Sequence, residues 1–226
     1  MTSPQPLPPT TVYTDPISAR ARLYELGLVP ELLWKGLNYG LGERRNLTAH
    51  DPNWLVGILT SGKIIRGLRD QLVPAGWTTS DDLNYATVVH PDGHFQIAVS
   101  SADVAAGNPF GNPSTRAEKG IATELAVESN QVGFYTLMPA DFPAPQPTRK
   151  RPTFLFLYNI DDETGIVGAE LALPIAIGDD RLIRKWQERI PLFATDISTA
   201  PKLRDRAQDD GANGDDIHIE IERRAN

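Results

Sequence analysis

The sequence predicts an α+β fold, with a helical N-terminal region packed against an antiparallel or mixed sheet of about five strands. Three observations carry this. Helix-spaced apolar residues fill the first third, from Asp15 to about Pro74. Two-residue alternation dominates from Tyr85 to Val99 and again from Thr153 to Leu173. No strand–helix–strand rhythm runs along the chain, and no internal repeat is seen.

The elements follow in order. Residues 1–14 are rich in proline and read as a flexible arm. Asp15-Pro16 starts a helix, the carboxylate capping it and the proline taking its first position. Ile17, Ala21 and Tyr24 line its expected buried side, and Gly27 stops it. Pro30 opens a second helix with Leu33, Leu37 and Leu41 inward and Trp34 beside them. A third helix is expected from Asp51-Pro52 to Pro74, burying Leu55, Ile58, Ile65, Leu68 and Leu72, with a break near Ser61-Gly62 because interior glycines weaken a helix.

Residues 85–89 and 95–100 form a hairpin around Pro91-Asp92-Gly93. Pairing His90 with His94 would put Tyr85, Thr87, Val89, Phe95, Ile97 and Val99 on one face. After a polar loop, Thr115-Arg116-Ala117-Glu118 fits a capping box for a helix carrying Ile121, Ala122, Leu125 and Ala126. Phe154 to Tyr158 is apolar on both faces and reads as a central strand within 153–160. A short acidic turn leads from it to an antiparallel strand at 166–173. Asp179 or Asp180 is expected to cap a short helix through Arg189. Residues 201–216 read as a mobile polar segment, and 217–226 as a terminal strand and tail, with Ile217, Ile219 and Ile221 alternating. The whole of 15–200 reads as one domain.

Composition narrows the chemistry. The chain of 226 residues has no cysteine, so disulfides, thiol catalysis and cysteine-held metals are excluded. That suits a cytoplasmic protein. No signal peptide is expected from the proline-rich start, and no apolar run reaches a membrane span. The net charge of −7, concentrated in 79–148, gives no cationic footprint for nucleic acid.

Four constellations are candidates for function. Gly57-Ile58-Leu59-Thr60-Ser61-Gly62-Lys63 fills part of a phosphate-binding loop, but residue 64 is isoleucine where the magnesium-binding hydroxyl belongs. His90, Asp92 and His94 could supply two imidazoles and a carboxylate to a divalent metal, which would activate water for hydrolysis. Thr115, Arg116 and Lys119 sit where a helix N-terminus could hold an anion. Trp77 is the tryptophan most expected at a contact surface, and Arg149-Lys150-Arg151 forms a short basic patch for an acidic partner or nucleic acid. Ser100-Ser101 with Asp103 lacks any G-x-S-x-G context and is not expected to be a triad.

The class expected from this is a non-enzymatic intracellular binding or assembly protein, without cofactor, engaging a protein partner or a second copy of itself and no membrane. A metal-dependent hydrolase at the histidine turn, phosphodiester-cleaving in its sharpest form, is the alternative. Nucleotide or other small-molecule binding at the glycine-containing loops is the third.

Overall fold

The computed structural model describes residues 7, 9–136 and 151–193, with side chains through Gln131 in the helix that closes the first stretch. The expected strand at 217–222 therefore lies outside the described residues. The architecture is α+β, but among the described residues the sheet has seven strands, in the order β1-β7-β6-β5-β4-β3-β2. They are β1 (Thr11–Val12), β2 (Thr78–Ser80), β3 (Thr87–Val89), β4 (Gln96–Ser101), β5 (Thr153–Ile160), β6 (Val167–Ala176) and β7 (Lys185–Pro191). Two neighbouring pairs, β1–β7 and β4–β5, are parallel; the rest are antiparallel.

Helices cover both faces. The first three are α1 (Pro16–Glu25), α2 (Pro30–Arg44) and α3 (Asn53–Leu72), and α4 spans Ile121–Thr136. Leu23, Leu33, Leu37, Ile64 and Leu68 from α1–α3 meet Ile97, Phe156, Leu171 and Ile190 on one face of the sheet. Val127 of α4 joins Ala98, Leu155, Leu157, Ala172 and Trp186 on the other. The doubly apolar β5 is thus the buried centre its sequence predicts, with every residue from Thr153 to Ile160 buried. Among the described residues no helix is long and apolar enough to cross a membrane.

The Asp15 cap forms as expected, its Oδ1 accepting from the amides of Ile17 and Ser18 at 3.0 Å each. The buried side of α1 is Ala19 and Leu23, however, and Ile17 is exposed. α3 is one unbroken helix through Ser61-Gly62. Its core contact starts at Thr60, so Trp54 and Ile58 face outward. α2 and α3 pack closely because three glycines allow it: a Cβ on Gly40 would lie 2.9 Å from the Ile64 backbone nitrogen, and one on Gly67 2.6 Å from the Gly36 carbonyl oxygen.

The hairpin is shifted by one residue from the expected pairing. The His90 amide donates to the Phe95 carbonyl at 3.0 Å, so His90 stands opposite Phe95 rather than His94, and Val88 pairs with Ile97. Because strand side chains alternate, the slip sends Thr87 and Val89 to the α4 face and brings Val88 in beside Ile97.

Two further expectations fail for physical reasons. The helix predicted from Asp179 to Arg189 is a turn followed by strand β7. Register shifts in the β6–β7 ladder around Pro174 change the side-chain parity of β7. Trp186 and Arg189, three residues apart, therefore share the α4 face, which imitates helical spacing. The capping box at Thr115 caps nothing, since α4 starts at Ile121. Thr115 is instead buried against the β6–β7 turn: its amide donates to the Ile183 carbonyl at 3.1 Å, and its Oγ1 accepts from the Ile183 amide at 3.0 Å. Thr11 and Val12, within the expected arm, add a short parallel strand to β7.

Candidate functional site

The connection between β4 and α4, residues 102–120, is the longest described stretch without a helix or strand. Its backbone lies directly on the sheet. A Cβ on Gly168 would stand 2.1 Å from the Ala106 carbonyl oxygen, so two glycines, Gly107 and Gly168, let the chains touch there. Gly107 also has φ +78°, which a residue with a side chain rarely adopts.

The loop is fastened by buried polar groups. Arg189 and Glu170, 2% and 0% exposed, form a two-point ion pair at 2.9 and 2.6 Å. Their remaining capacity goes to the loop. Arg189 Nη2 donates to the Asn108 carbonyl at 3.0 Å, Nη1 donates to that of Gly111, and the Gly107 amide donates to Glu170 Oε2 at 3.1 Å. The Trp186 indole donates to the Pro113 carbonyl at 3.0 Å. Both members of the pair thus also bond the loop, adding hydrogen bonds of the kind a buried ion pair needs if desolvation is not to dominate.

Held this way, the loop points apolar groups outward. Phe110 at its tip is 86% exposed and Val104 is 74% exposed. The run from Val104 to Thr115 contains no charged residue, in a chain where 23% of residues are charged.

The same connection ends at Lys119, whose Nζ donates to Ser100 Oγ at 2.7 Å. Ser100 is buried near the carboxyl end of β4, beside its parallel neighbour β5. Burial pulls the Lys119 amine down to about 8. Across the same face, burial pushes the Tyr85 phenol up to about 12.

The sequence candidates are placed as follows. Gly57 and Gly62 lie exposed inside α3, and Lys63 is paired with Glu43 at 2.6 Å, so these residues form no phosphate loop. His90, Asp92 and His94 stay together at the turn. There His90 Nδ1 accepts the Asp92 amide at 3.2 Å, the Asp92 carboxylate is 3.9 Å from that nitrogen, and the two imidazole rings are 6.0 Å apart. His90 is packed edge-on to Trp77 and stacked on Phe95. No group of three or more metal-ligating side chains gathers among the described residues. Thr115 is consumed by Ile183, Arg116 is exposed, and Lys119 turns to Ser100, so the three do not converge on an anion. Trp77, expected at the surface, is 3% exposed and belongs to the core. Arg151 is exposed just before β5; Arg149 and Lys150 lie outside the described residues.

Compared with known proteins, the chain matches no family model, no curated protein and no solved structure.

Proposed function

We propose that the chain is a binding or assembly protein whose recognition element is the 104–115 loop, with Phe110 as its anchor. The observation that carries this is the pairing of a fixed backbone with an unpacked aromatic: Glu170 and Arg189 are fully buried to hold a loop whose largest side chain touches solvent. A side chain presented on a pre-ordered backbone loses little further entropy when it docks. Aromatic anchors in a surround poor in charge are the composition of interface centres. The partner is therefore a polypeptide with an apolar pocket and a neutral polar rim that can pair with Asn108, Asn112 and Ser114. An uncharged loop offers nothing to phosphates, which disfavours nucleic acid as the partner of this element.

A photo-crosslinking residue placed at Phe110, against one placed at the exposed Ile166 as control, tests the reading. It expects one polypeptide, or a second copy of the chain, trapped from position 110 and not from 166. In the purified complex, Phe110→Ala should weaken binding by about 30-fold or more, the scale of a hot-spot anchor. Equal trapping at both positions, an undiminished complex, or binding only to lipid vesicles would overturn it.

A further inference from the structure

We propose that Ser100 and Lys119 form a nucleophile–base pair that takes an acyl group from a small, uncharged ester. This goes beyond the binding role and stands or falls independently of Phe110.

A 2.7 Å contact joins the only nitrogen of Lys119 that can act as a base to the only oxygen of Ser100 that can act as a nucleophile. Ser100 lies one residue from the end of β4, and β4–β5 is a parallel pair joined through α4. In open α/β sheets ligands collect outside the carboxyl ends of parallel strands, and β4–β5 is a local pair of that type.

A cation drawn out of water for a structural task is ordinarily matched by a carboxylate, as the Arg189 guanidinium is by Glu170; Lys119 is half-buried. Among the described residues the Ser100 hydroxyl is the side-chain partner of Lys119, and burial lowers its pKa. A hydroxyl does not offset the desolvation of an ammonium, so the arrangement costs stability and favours the neutral amine. A neutral amine at hydrogen-bond distance from a serine is the serine–lysine variant of the activated nucleophile.

Asn159 is 5% exposed, and its Oδ1 has no hydrogen-bond partner among the described residues. Ser100 stands opposite Leu157 in the β4–β5 register, so Asn159 is the next residue along β5 on the face that Ser100 occupies. Its free acceptor suits a substrate that carries an N–H or O–H group. Ala98, Ala102, Leu155 and Leu157 are the apolar neighbours on this face, which suits an uncharged substrate. Ser100 is 6% exposed, so that substrate must be small.

The step balances with water as the one co-reactant. The Ser100 hydroxyl donates to the Ser101 carbonyl at 3.2 Å; with Lys119 neutral, it turns to donate to Nζ instead. As Oγ attacks the ester carbonyl carbon, its proton passes to Nζ. The bond from the carbonyl carbon to the leaving oxygen breaks, and that oxygen takes the proton from Lys119 and departs as the alcohol. Water, deprotonated by the same amine, then attacks the acyl-serine. The carboxylic acid leaves, and Ser100 recovers its proton.

The test treats the full chain with a small alkyl fluorophosphonate and follows intact mass and peptide mapping from pH 6 to pH 10. One adduct per chain is expected, on Ser100, forming faster as pH rises through about 8. Ser100→Ala should remove it. Lys119→Arg keeps the charge and the donor but offers no base, and should slow labelling by about 100-fold or more and flatten the pH profile. No Ser100 adduct on folded wild-type protein would overturn the proposal. So would a wild-type rate that ignores pH across this range, or a Lys119→Arg rate equal to wild type. The wild-type profile decides the matter even if the arginine variant fails to fold.

Discussion

Arg189 and Glu170 are joined by two hydrogen bonds in the interior and share the same loop: the arginine holds the carbonyls of Asn108 and Gly111, the glutamate the amide of Gly107. The pair couples the ladder of β6 and β7 to the position of the loop.

Removing one partner should therefore be far worse than removing both. Arg189→Met leaves Glu170 buried and unpaired and is expected to cost about 3–5 kcal/mol in urea unfolding. The double variant Glu170→Leu, Arg189→Met should recover most of that loss. Its loop amides should nonetheless exchange faster than in wild type, because their partners are gone. A double variant as unstable as the single one would contradict this.

The glycines of the helical region separate into two kinds. Gly57 and Gly62 have open space where a Cβ would go, so Gly57→Ala and Gly62→Ala should each stabilise by up to about 1 kcal/mol. Gly40→Ala drives a methyl against the Ile64 backbone and side chain and should destabilise by about 1–3 kcal/mol. Thermal unfolding of the three variants checks the contrast, and a loss of stability at Gly57 and Gly62 would refute the reading of α3 as an ordinary helix.

Lys119 gives a pH dependence with a definite sign. Its ordinary value is 10.5, and burial lowers it to about 8 in the folded chain. Below about 8 both folded and unfolded chains carry the proton, and the desolvation cost is present in full. Between there and 10.5 the unfolded chain binds a proton that the folded chain has released, so stability rises with pH. Urea midpoints of wild type measured against Lys119→Met across this window should show the rise in wild type alone.

Phe110 should matter to binding and not to folding. It is 86% exposed, so Phe110→Ala should change unfolding free energy by less than about 0.5 kcal/mol. A larger loss, read by urea titration, would mean that the ring packs against its own chain.

Much of the fold was legible in the sequence, because burial writes itself into local periodicity. Asp15-Pro16 capped α1, Leu33 and Leu37 pointed inward, and Phe154 to Tyr158 lay at the centre of the sheet. Where tertiary context changes the local count, the pattern misled. The register shifts beside Pro174 gave Trp186 and Arg189 a helical spacing on a strand. One extra turn residue moved Val89 off the face assigned to it. Thr115 had the chemistry of a cap but found Ile183 first. The strands β1 and β2 are too short to carry a period at all.

The candidate site was less legible. In the sequence Lys119 reads as a cation and Ser100 as a hydroxyl, yet they stand 19 positions apart and no spacing rule joins a strand end to a loop end. Glu170 and Arg189 read as ordinary charges; only their burial reveals what they hold. The one local signal was the absence of charge from Val104 to Thr115 around a lone phenylalanine.

Native-state amide exchange at Gly107 and Thr115, read residue by residue, tests most directly whether the 104–115 loop is fixed to the sheet. Both amides have buried acceptors, the Glu170 carboxylate and the Ile183 carbonyl. They should exchange more than about a thousandfold slower than the free chain, an opening cost of about 4 kcal/mol, and Arg189→Met should speed exchange at Gly107 most. Exchange at the free-chain rate in the wild-type protein would mean that the loop is not held, and Phe110 would then have no rigid platform.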